Sequence, residues 1–96
     1  MRKIRDADYK HLWESYAKKH DPAVKSKLIE AYVPLVKYLA ERMGTTLPAS
    51  VEVDDLVSMG TFGLIEAIDR FDLSRGIQFK TYCTARIRGA ILDNLR

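Results

Sequence analysis

The sequence predicts an all-α fold, a compact bundle of about four to five helices. Three observations lead to this prediction. Apolar residues recur at helical spacing in several long segments, helix start and stop signals separate those segments, and the few β-branched alternations are too short to form a sheet. The chain has 96 residues, 47% of them hydrophobic and 30% charged, which suits a single domain with a single core.

Helix start and stop signals divide the first half of the chain. The first predicted helix covers about residues 8–19. A second helix is predicted to begin at Pro22, because Asp21 is a favoured N-cap residue and proline suits the first helical position. Pro34 lacks a backbone N–H, so we expect it to kink or restart this helix. Gly44 is a suitable residue at which the helix ends.

The third predicted helix covers about residues 54–71 and carries a core stripe that contains two glycines. The stripe consists of Leu56, Val57, Gly60, Gly63, Leu64, Ala67, Ile68 and Phe71. A glycine inside a helix costs about 1 kcal/mol relative to alanine, so Gly60 and Gly63 need a packing reason. They predict that a neighbouring helix approaches closely at these two positions.

The opposite side of the same helix mixes apolar and acidic residues. It carries Asp55, Ser58, Met59, Phe62, Ile65, Glu66 and Asp69. Large apolar side chains bounded by carboxylates on an exposed helix face indicate a protein-docking site. The alternative interpretation is a helix that is buried on all sides, with the acidic residues at its edge.

Charge is divided into blocks along the chain. Residues 1–48 carry a net charge of +4, residues 49–69 carry −5, and residues 70–96 carry +4, for a total of +3. The third predicted helix lies mainly in the acidic block, and the last helix lies in the second basic block. This division predicts two surfaces with different partners.

The last predicted helix runs from Phe79 to the end of the chain and combines cations with an aromatic ring. Its inward stripe is Phe79, Cys83, Ile87, Ala90 and Ile91. Its outward side carries Thr81, Tyr82, Ala85, Arg86, Arg88, Gly89, Leu92 and Arg96. Tyr82 offers a ring on which a base can stack, and the arginines, with Arg75 and Lys80, offer phosphate contacts. These features predict a nucleic-acid surface; the alternative is a solvated basic face with Tyr82 half-buried.

The remaining composition argues against several classes of protein. Cys83 is the only cysteine, which suits a reducing cytoplasm, and we expect it to be a small buried hydrophobic residue. It has no metal-ligand spacing to His11 or His20, and no phosphate loop or nucleophile–histidine pairing is recognisable. We therefore predict no cofactor and no enzymatic activity. No apolar run approaches the roughly 20 residues that span a bilayer, so we predict a cytoplasmic protein without a membrane partner.

A long and specific motif extends over most of the chain. It consists of three stretches, LIEAYVPLVKYLAERM, VDDLVSMGTFGLIEAIDRFD and RGIQFKTYCTARIRGAILDNLR. Their order and spacing resemble conserved region 2 of the bacterial RNA polymerase sigma factors, the sigma-70 family. Within that family, RIRGAILDNLR and the LWESY stretch near the N-terminus are typical of the flagellar, motility and sporulation group of alternative sigma factors.

The resemblance implies a division into subregions. Region 2.1 corresponds to residues 28–48, region 2.2 to residues 49–73 and regions 2.3–2.4 to residues 74–96, within a single region 1.2/2-like helical domain over residues 1–96. Family members continue into further C-terminal domains that read the −35 element, and no such domain is recognisable here. We therefore expect an isolated domain or a truncated piece of a longer sigma factor.

In this family the region 2.2 helix docks on the clamp coiled coil of the β′ subunit of RNA polymerase. The matching positions here are Asp55, Leu56, Val57, Ser58, Met59 and Phe62. Of these, Leu56 and Val57 also lie on the predicted core stripe. The resemblance thus implies binding to the polymerase core. It also makes an anti-sigma protein a candidate partner, because members of this group are often held by one.

In family members the segment after this helix binds the non-template strand of the promoter −10 element and captures a flipped adenine. Binding of single-stranded bases selects the melted state, so the duplex opens without ATP. Positions near the captured base correspond to Phe79, Thr81 and Tyr82. The helix that tracks the strand corresponds to Arg86, Arg88, Gly89, Leu92 and Arg96.

The chain departs from the housekeeping sigma factors at several of these positions. Housekeeping members have two adjacent tryptophans where this chain has Ala85 and Arg86, and an aromatic residue where it has Ile77. They have Gln-Glu where this chain has Ser58 and Met59. The segment is therefore poorer in aromatic rings and richer in charge, as expected for an alternative sigma factor with a different −10 sequence.

Two other classes of protein are compatible with an acidic helix beside a basic one. A helix-turn-helix transcriptional regulator would use a short recognition helix and usually dimer symmetry, with the acidic and apolar face as its dimer interface. A protein-only adaptor would use both faces for proteins. Binding to single-stranded promoter DNA separates the adaptor from the sigma factor, and a concentration-independent monomer separates the regulator from it.

Overall fold

The computed structural model of the chain describes residues 3–95, which form four α-helices and two short 3-10 helices. In chain order these are a 3-10 helix at Asp6–Tyr9, α1 at Lys10–Lys19, α2 at Pro22–Gly44, α3 at Val53–Arg70, a 3-10 helix at Leu73–Arg75 and α4 at Phe79–Asn94. Residues 3–95 contain no strand. The prediction of an all-α bundle is therefore confirmed.

The helix boundaries follow the local signals, with one exception at a proline. The Asp21 carboxylate accepts a hydrogen bond from the Ala23 N–H at 2.9 Å, as expected for an N-cap. Pro34 does not restart the second helix, because α2 runs unbroken through it. Pro34 is exposed while Tyr32 and Leu35 beside it are buried, so water can satisfy the carbonyl that proline leaves unpaired and the core holds the helix on both sides.

The core is formed where α3 packs against both α2 and α4. Its largest fully buried side chains are Tyr32, Phe79, Leu28, Leu56, Leu64, Ile68, Ile87, Ile91, Val36 and Cys83. Burial raises the pKa of the Cys83 thiol to about 12, so this side chain stays protonated at neutral pH. Most of both predicted core stripes, on the third and on the last helix, thus faces inward, but Val57, Phe71 and Ala90 are only half-buried. Cys83 is the small buried hydrophobic residue expected.

The two glycines of α3 lie where other helices come closest. A Cβ atom added to Gly63 would lie 2.8 Å from the Ala90 Cβ and 2.8 Å from the Arg86 carbonyl oxygen. One added to Gly60 would lie 2.9 Å from the Val36 Cγ1. Contacts below 3 Å are too short for real carbon atoms, so the predicted close approach of a neighbouring helix is confirmed and involves both α4 and α2.

An aromatic cluster joins α1 to the rest of the bundle. The Trp13 ring of α1 lies with its centroid 4.5 Å from that of Phe79 and 5.3 Å from that of Phe71. Tyr32 of α2 meets Phe79 edge-on at 4.8 Å. Tilted and edge-to-face pairs at such distances are favourable beyond their buried area, so this cluster fixes α1 against α2, α4 and the segment that leads into α4.

A partly buried polar network lies beside this cluster. The Trp13 indole N–H donates to the Tyr32 hydroxyl at 3.3 Å, and that hydroxyl donates to the Asp6 carboxylate at 2.6 Å. The Lys80 backbone N–H donates to the same carboxylate, 3.2 and 3.1 Å from its two oxygens. Burial and the hydrogen bond to Asp6 raise the pKa of the Tyr32 hydroxyl above its ordinary value. The hydroxyl therefore remains a donor at physiological pH.

The contact at Gly63 leads to a prediction with a matched control in α4. Gly63→Ala should lower the free energy of unfolding by about 1–3 kcal/mol, because the added methyl group overpacks the contact with α4. Gly89→Ala should leave that free energy unchanged or raise it by up to about 1 kcal/mol, because a Cβ at Gly89 meets no heavy atom within 4 Å among the described residues. Urea unfolding followed by circular dichroism measures both values. Equal effects of the two substitutions would contradict the close contact.

Candidate protein-docking and nucleic-acid surfaces

The outward side of α3 exposes large apolar side chains. Phe62 is 69% exposed, and Val57, Met59 and Ile65 are half-buried. We use the name α3 face for Asp55, Val57, Ser58, Met59, Phe62 and Ile65. A helix that is buried on all sides would not leave Phe62 in solvent, so the structure contradicts that alternative interpretation.

The acidic residues at the two ends of α3 have different roles. Asp54 and Asp55 are exposed in the first turn of the helix, where carboxylates interact favourably with the helix dipole. Asp69 at the other end binds within the bundle, since the Lys25 ammonium lies 2.6 Å from its carboxylate and the Tyr16 hydroxyl donates to it at 3.4 Å. Asp69 therefore serves to join α1, α2 and α3, and the acidic border of the α3 face lies mainly at its N-terminal end.

One of the six positions matched to polymerase docking lies in the core. Leu56 is 0% exposed, so in this structure its side chain has no surface to offer a partner and instead holds α3 in place. Val57 is half-buried and lines a shallow groove of about 290 Å³ together with Ser58, Thr61, Phe62 and Ile65. The other matched residues, Asp55, Ser58, Met59 and Phe62, reach the surface.

The outward side of α4 is basic, with small residues between the cations. Thr81, Ala85, Arg88 and Leu92 are exposed, and Lys80, Tyr82, Arg86 and Gly89 are half-buried. We use the name α4 face for these eight residues. Arg75 is exposed in the turn that precedes the helix, whereas Arg96 lies outside the described residues.

The resemblance matches Phe79 to the captured base, but the structure buries this residue. Its side chain is 1% exposed and contacts Trp13, Tyr32 and Phe71 in the aromatic cluster. A base cannot stack on this ring without disrupting the core. Phe79 therefore holds the start of α4 in place from within the core.

Tyr82 points outward less freely than the helical projection predicts. It is half-buried, and its ring packs against Phe71 with centroids 5.6 Å apart and planes tilted by 34°. Phe71 lies immediately after α3, so the projection of the last helix alone could not reveal this contact. The partial burial matches the alternative considered from the sequence, and part of the residue remains exposed.

An ion pair joins the borders of the two faces. The Arg86 guanidinium lies 3.4 Å from the Glu66 carboxylate, and both side chains are substantially exposed. A cleft of about 280 Å³ lies between the two helices, and its lining includes Phe62 of α3 and Gly89 of α4. An exposed pair of this kind contributes at most about 1 kcal/mol, so Arg86 can exchange Glu66 for a phosphate at little cost.

The described residues contain neither a candidate metal site nor a candidate membrane-spanning helix. In residues 3–95 no group of three or more His, Cys, Asp or Glu side chains could hold a metal ion. None of the helices in this part of the chain is both long enough and apolar enough to cross a bilayer.

Comparison with known proteins identifies the family. The family model described as Sigma-70 region 2 matches residues 28–96, a span that includes all of α3 and α4 and both of their faces. The chain belongs to the Sigma-70 region 2 family. The resemblance recognised in the sequence is thereby confirmed.

Several curated sigma factors are similar to this region 2 chain. The RNA polymerase sigma-D factor of Bacillus subtilis strain 168 is 46% identical over 85 residues, which cover 88% of this chain and 34% of that protein. The RNA polymerase sigma factor FliA of Salmonella typhimurium is 53% identical over 72 residues, 75% of this chain and 30% of that protein. FliA of Pseudomonas aeruginosa is 44% identical over 81 residues, 84% of this chain and 33% of that protein. The chain thus spans about a third of the length of these relatives, which represent the flagellar and motility group.

Asp6 bears on the α4 face of this sigma region 2 chain, although nothing in the sequence alone indicates it. Asp6 accepts the hydrogen bond of the Lys80 N–H across 74 positions, and residue 6 precedes the stretch that the family model matches. No local spacing signals a cap that is supplied from so far away. The sequence shows only an aspartate ahead of a segment with tyrosine and tryptophan, and an aspartate in such a place is equally typical of an ordinary surface turn.

The burial pattern of α3 predicts that substitutions on its two sides have different effects on stability. Leu56→Ala should lower the free energy of unfolding by about 2–5 kcal/mol, because it empties a fully buried site. Phe62→Ala on the same helix should change it by less than about 0.5 kcal/mol, as is usual for exposed positions. Thermal and urea unfolding of the two variants provide the measurement. A large loss of stability in Phe62→Ala would mean that this ring belongs to the core.

Proposed function

We propose that this sigma region 2 domain acts in transcription initiation. The α3 face docks on the clamp coiled coil of the polymerase β′ subunit, while the α4 face recognises and melts the promoter −10 element by binding its non-template strand. The main supporting observation is the exposure of Phe62, 69% accessible on an acidic helix, directly beside a basic helix in a chain of the Sigma-70 region 2 family. Family membership favours this function over the helix-turn-helix regulator considered from the sequence.

The α3 face has the composition of a protein-docking site. Phe62 stands at its centre, Met59 and Ile65 flank it, and Asp54 and Asp55 form an acidic border. Central aromatic and methionine side chains with a polar rim are typical of interfaces in which a few residues contribute most of the affinity. We therefore expect a partner that presents an apolar surface bordered by basic side chains.

The α4 face has the composition of a single-strand surface. Arg88 is exposed, Arg86 is paired only at the surface with Glu66, and Gly89 leaves open space in which a sugar-phosphate backbone can approach. Cations bind phosphates by releasing condensed counterions, and the exposed part of Tyr82 offers a stacking platform. Capture of unpaired bases on this face favours the open duplex, so melting requires no ATP.

The difference from housekeeping sigma factors concerns the same face. Ala85 and Arg86 stand where those proteins have two tryptophans, and Ile77 replaces an aromatic residue. We propose that stacking is confined to Tyr82 and that Arg86 and Arg88 supply more of the affinity through phosphates. This balance supports an alternative sigma factor with its own −10 sequence.

The subregions that the resemblance implies are also part of the proposed function. Residues 28–48 would form region 2.1, residues 49–73 region 2.2 and residues 74–96 regions 2.3–2.4. We propose a cytoplasmic protein that has no enzymatic activity of its own and whose further partner is an anti-sigma protein. The polymerase core and promoter DNA are its principal partners.

The docking proposal predicts the behaviour of a double variant. Met59→Ala combined with Phe62→Ala should weaken binding to a β′ clamp coiled-coil fragment by a few kcal/mol, since it removes the central apolar anchors. Calorimetric titration measures the affinity, and circular dichroism should report an unchanged helix content. Unaltered affinity would refute the role of the α3 face, and loss of the fold would mean that these residues are core.

The single-strand proposal predicts the behaviour of Tyr82. Tyr82→Ala should lose about 1–3 kcal/mol of affinity for a −10 non-template oligonucleotide, whereas Tyr82→Phe should keep most of it, because the ring carries the stacking. Fluorescence anisotropy should be measured at a temperature at which each variant is fully folded, because Tyr82 also packs against Phe71. Duplex affinity should hardly change.

Phe79→Ala serves as the comparison for this prediction. It should lose about 3–5 kcal/mol of stability before any specific loss of DNA binding, because the ring is buried. If Tyr82→Ala instead melts much lower and, once folded, binds the strand normally, the ring is a core residue and Tyr82 has no part in base capture.

A further inference from the structure

We propose that Asp6 is a positioning residue for strand binding: its carboxylate caps the N-terminus of α4 and fixes the helical turn that carries Thr81 and Tyr82. Asp6 lies before the stretch that the family model matches, and among the described residues its hydrogen bonds to the α4 face go only to the Lys80 backbone N–H. This inference rests on the proposed function, because it concerns the same DNA surface.

The start of α4 lacks a cap of its own. Gln78 occupies the N-cap position, and its side chain makes no capping hydrogen bond within the described part of the chain. The first amides of a helix have no partner in the helix itself, and a carboxylate there is favoured by both hydrogen bonding and the helix dipole. The Asp6 carboxylate meets this need, with the Lys80 N–H 3.2 and 3.1 Å from its two oxygens.

The Asp6 carboxylate is itself held in a fixed position by a buried side chain. The Tyr32 hydroxyl donates to it at 2.6 Å, and the Tyr32 side chain is fully buried and bonded in turn to Trp13. Ile4, two residues before Asp6, is 6% exposed and belongs to the core cluster. A half-buried carboxylate with fixed orientation makes a stronger cap than an exposed, mobile one, so α4 is anchored to the N-terminal segment and to α2 at once.

This arrangement determines how α4 can meet a nucleic-acid strand. Because the Lys80 N–H already binds Asp6 and the carboxylate would repel a second anion, a phosphate is disfavoured at the helix N-terminus. At this end of α4 the strand is therefore bound by side chains of the first turn, Thr81 and Tyr82, and their positions depend on that turn being formed. If the turn frays, the fraction of molecules able to bind the strand falls, and the apparent affinity for the strand falls with it.

Asp8 provides a matched control for the test. It lies in the same 3-10 helix, but it is exposed and pairs with Arg5, three residues away. The experiment compares Asp6→Ala, Asp6→Asn and Asp8→Ala in this 96-residue chain. Three quantities are measured at a temperature at which circular dichroism reports each variant as folded: hydrogen exchange of the Lys80 amide, affinity for a single-stranded −10 oligonucleotide, and affinity for the β′ clamp fragment.

Asp6→Ala should accelerate exchange of the Lys80 amide by about 2- to 30-fold, which corresponds to the usual range for loss of a cap. Affinity for the single strand should fall within the same range, while affinity for the clamp fragment should stay unchanged because the α3 face is not involved. Asp6→Asn should recover part of both losses, since the amide oxygen still accepts a hydrogen bond. Asp8→Ala should leave all three quantities unchanged.

Several results would overturn the inference. A Lys80 amide that is unprotected in the unaltered chain would mean that the cap does not form. Faster exchange with unchanged strand affinity would mean that Asp6 acts on stability alone, and parallel loss of strand and clamp binding would indicate general loss of the fold. If the unaltered chain binds no single strand although exchange depends on Asp6, then the proposed function fails and the positioning role fails with it, while the cap itself remains.

Discussion

The close contact between α3 and α4 is the constraint on which the rest of the structure depends. At Gly63 the backbone of α4 comes so near that even a methyl group would lie 2.8 Å from the Arg86 carbonyl oxygen. This approach turns one side of each helix into shared core and leaves the other sides as neighbouring surfaces. The acidic, apolar α3 face and the basic α4 face therefore meet along one cleft, joined by Glu66 and Arg86.

The second fixed point lies at the opposite end of α4. Trp13, Tyr32 and Phe79 form an aromatic cluster beneath the first turn of that helix, and Asp6 caps it through the Lys80 N–H. The N-terminal segment therefore acts on α4 in the way that a local N-cap acts on an ordinary helix, although it comes from far away in the sequence. Packing at the glycines sets the distance between the two faces, and the aromatic cluster with its polar network sets the position of the first turn.

Helical periodicity was sufficient to predict the helices, most of both core stripes and the exposed apolar side of α3, including Phe62, because one buried face per helix is a local property of the sequence.

Helical periodicity failed wherever a contact with a distant part of the chain decides the structure. Pro34 leaves α2 intact because the surrounding core outweighs one missing hydrogen bond. Tyr82 is half-buried because Phe71, outside its own helix, covers it. The capping role of Asp6 depends on a contact across 74 positions, which no local spacing encodes. The family resemblance predicts which stretches carry the two surfaces, but the positions that it matches include buried residues such as Leu56 and Phe79 beside exposed ones such as Phe62.

In the proposed function, α3 and α4 present separate surfaces to separate partners. This separation is tested most directly by mapping amide chemical shifts of the isotopically labelled chain in two titrations, one with the single-stranded −10 non-template oligonucleotide and one with the β′ clamp coiled-coil fragment. The oligonucleotide should shift the amides of the α4 face from Lys80 to Leu92, and the clamp fragment should shift those of the α3 face from Asp55 to Ile65. Overlap is expected only along the cleft between Glu66 and Arg86. If both partners shift the same face, or if the oligonucleotide shifts none of the α4 amides, the two faces do not bind separate partners.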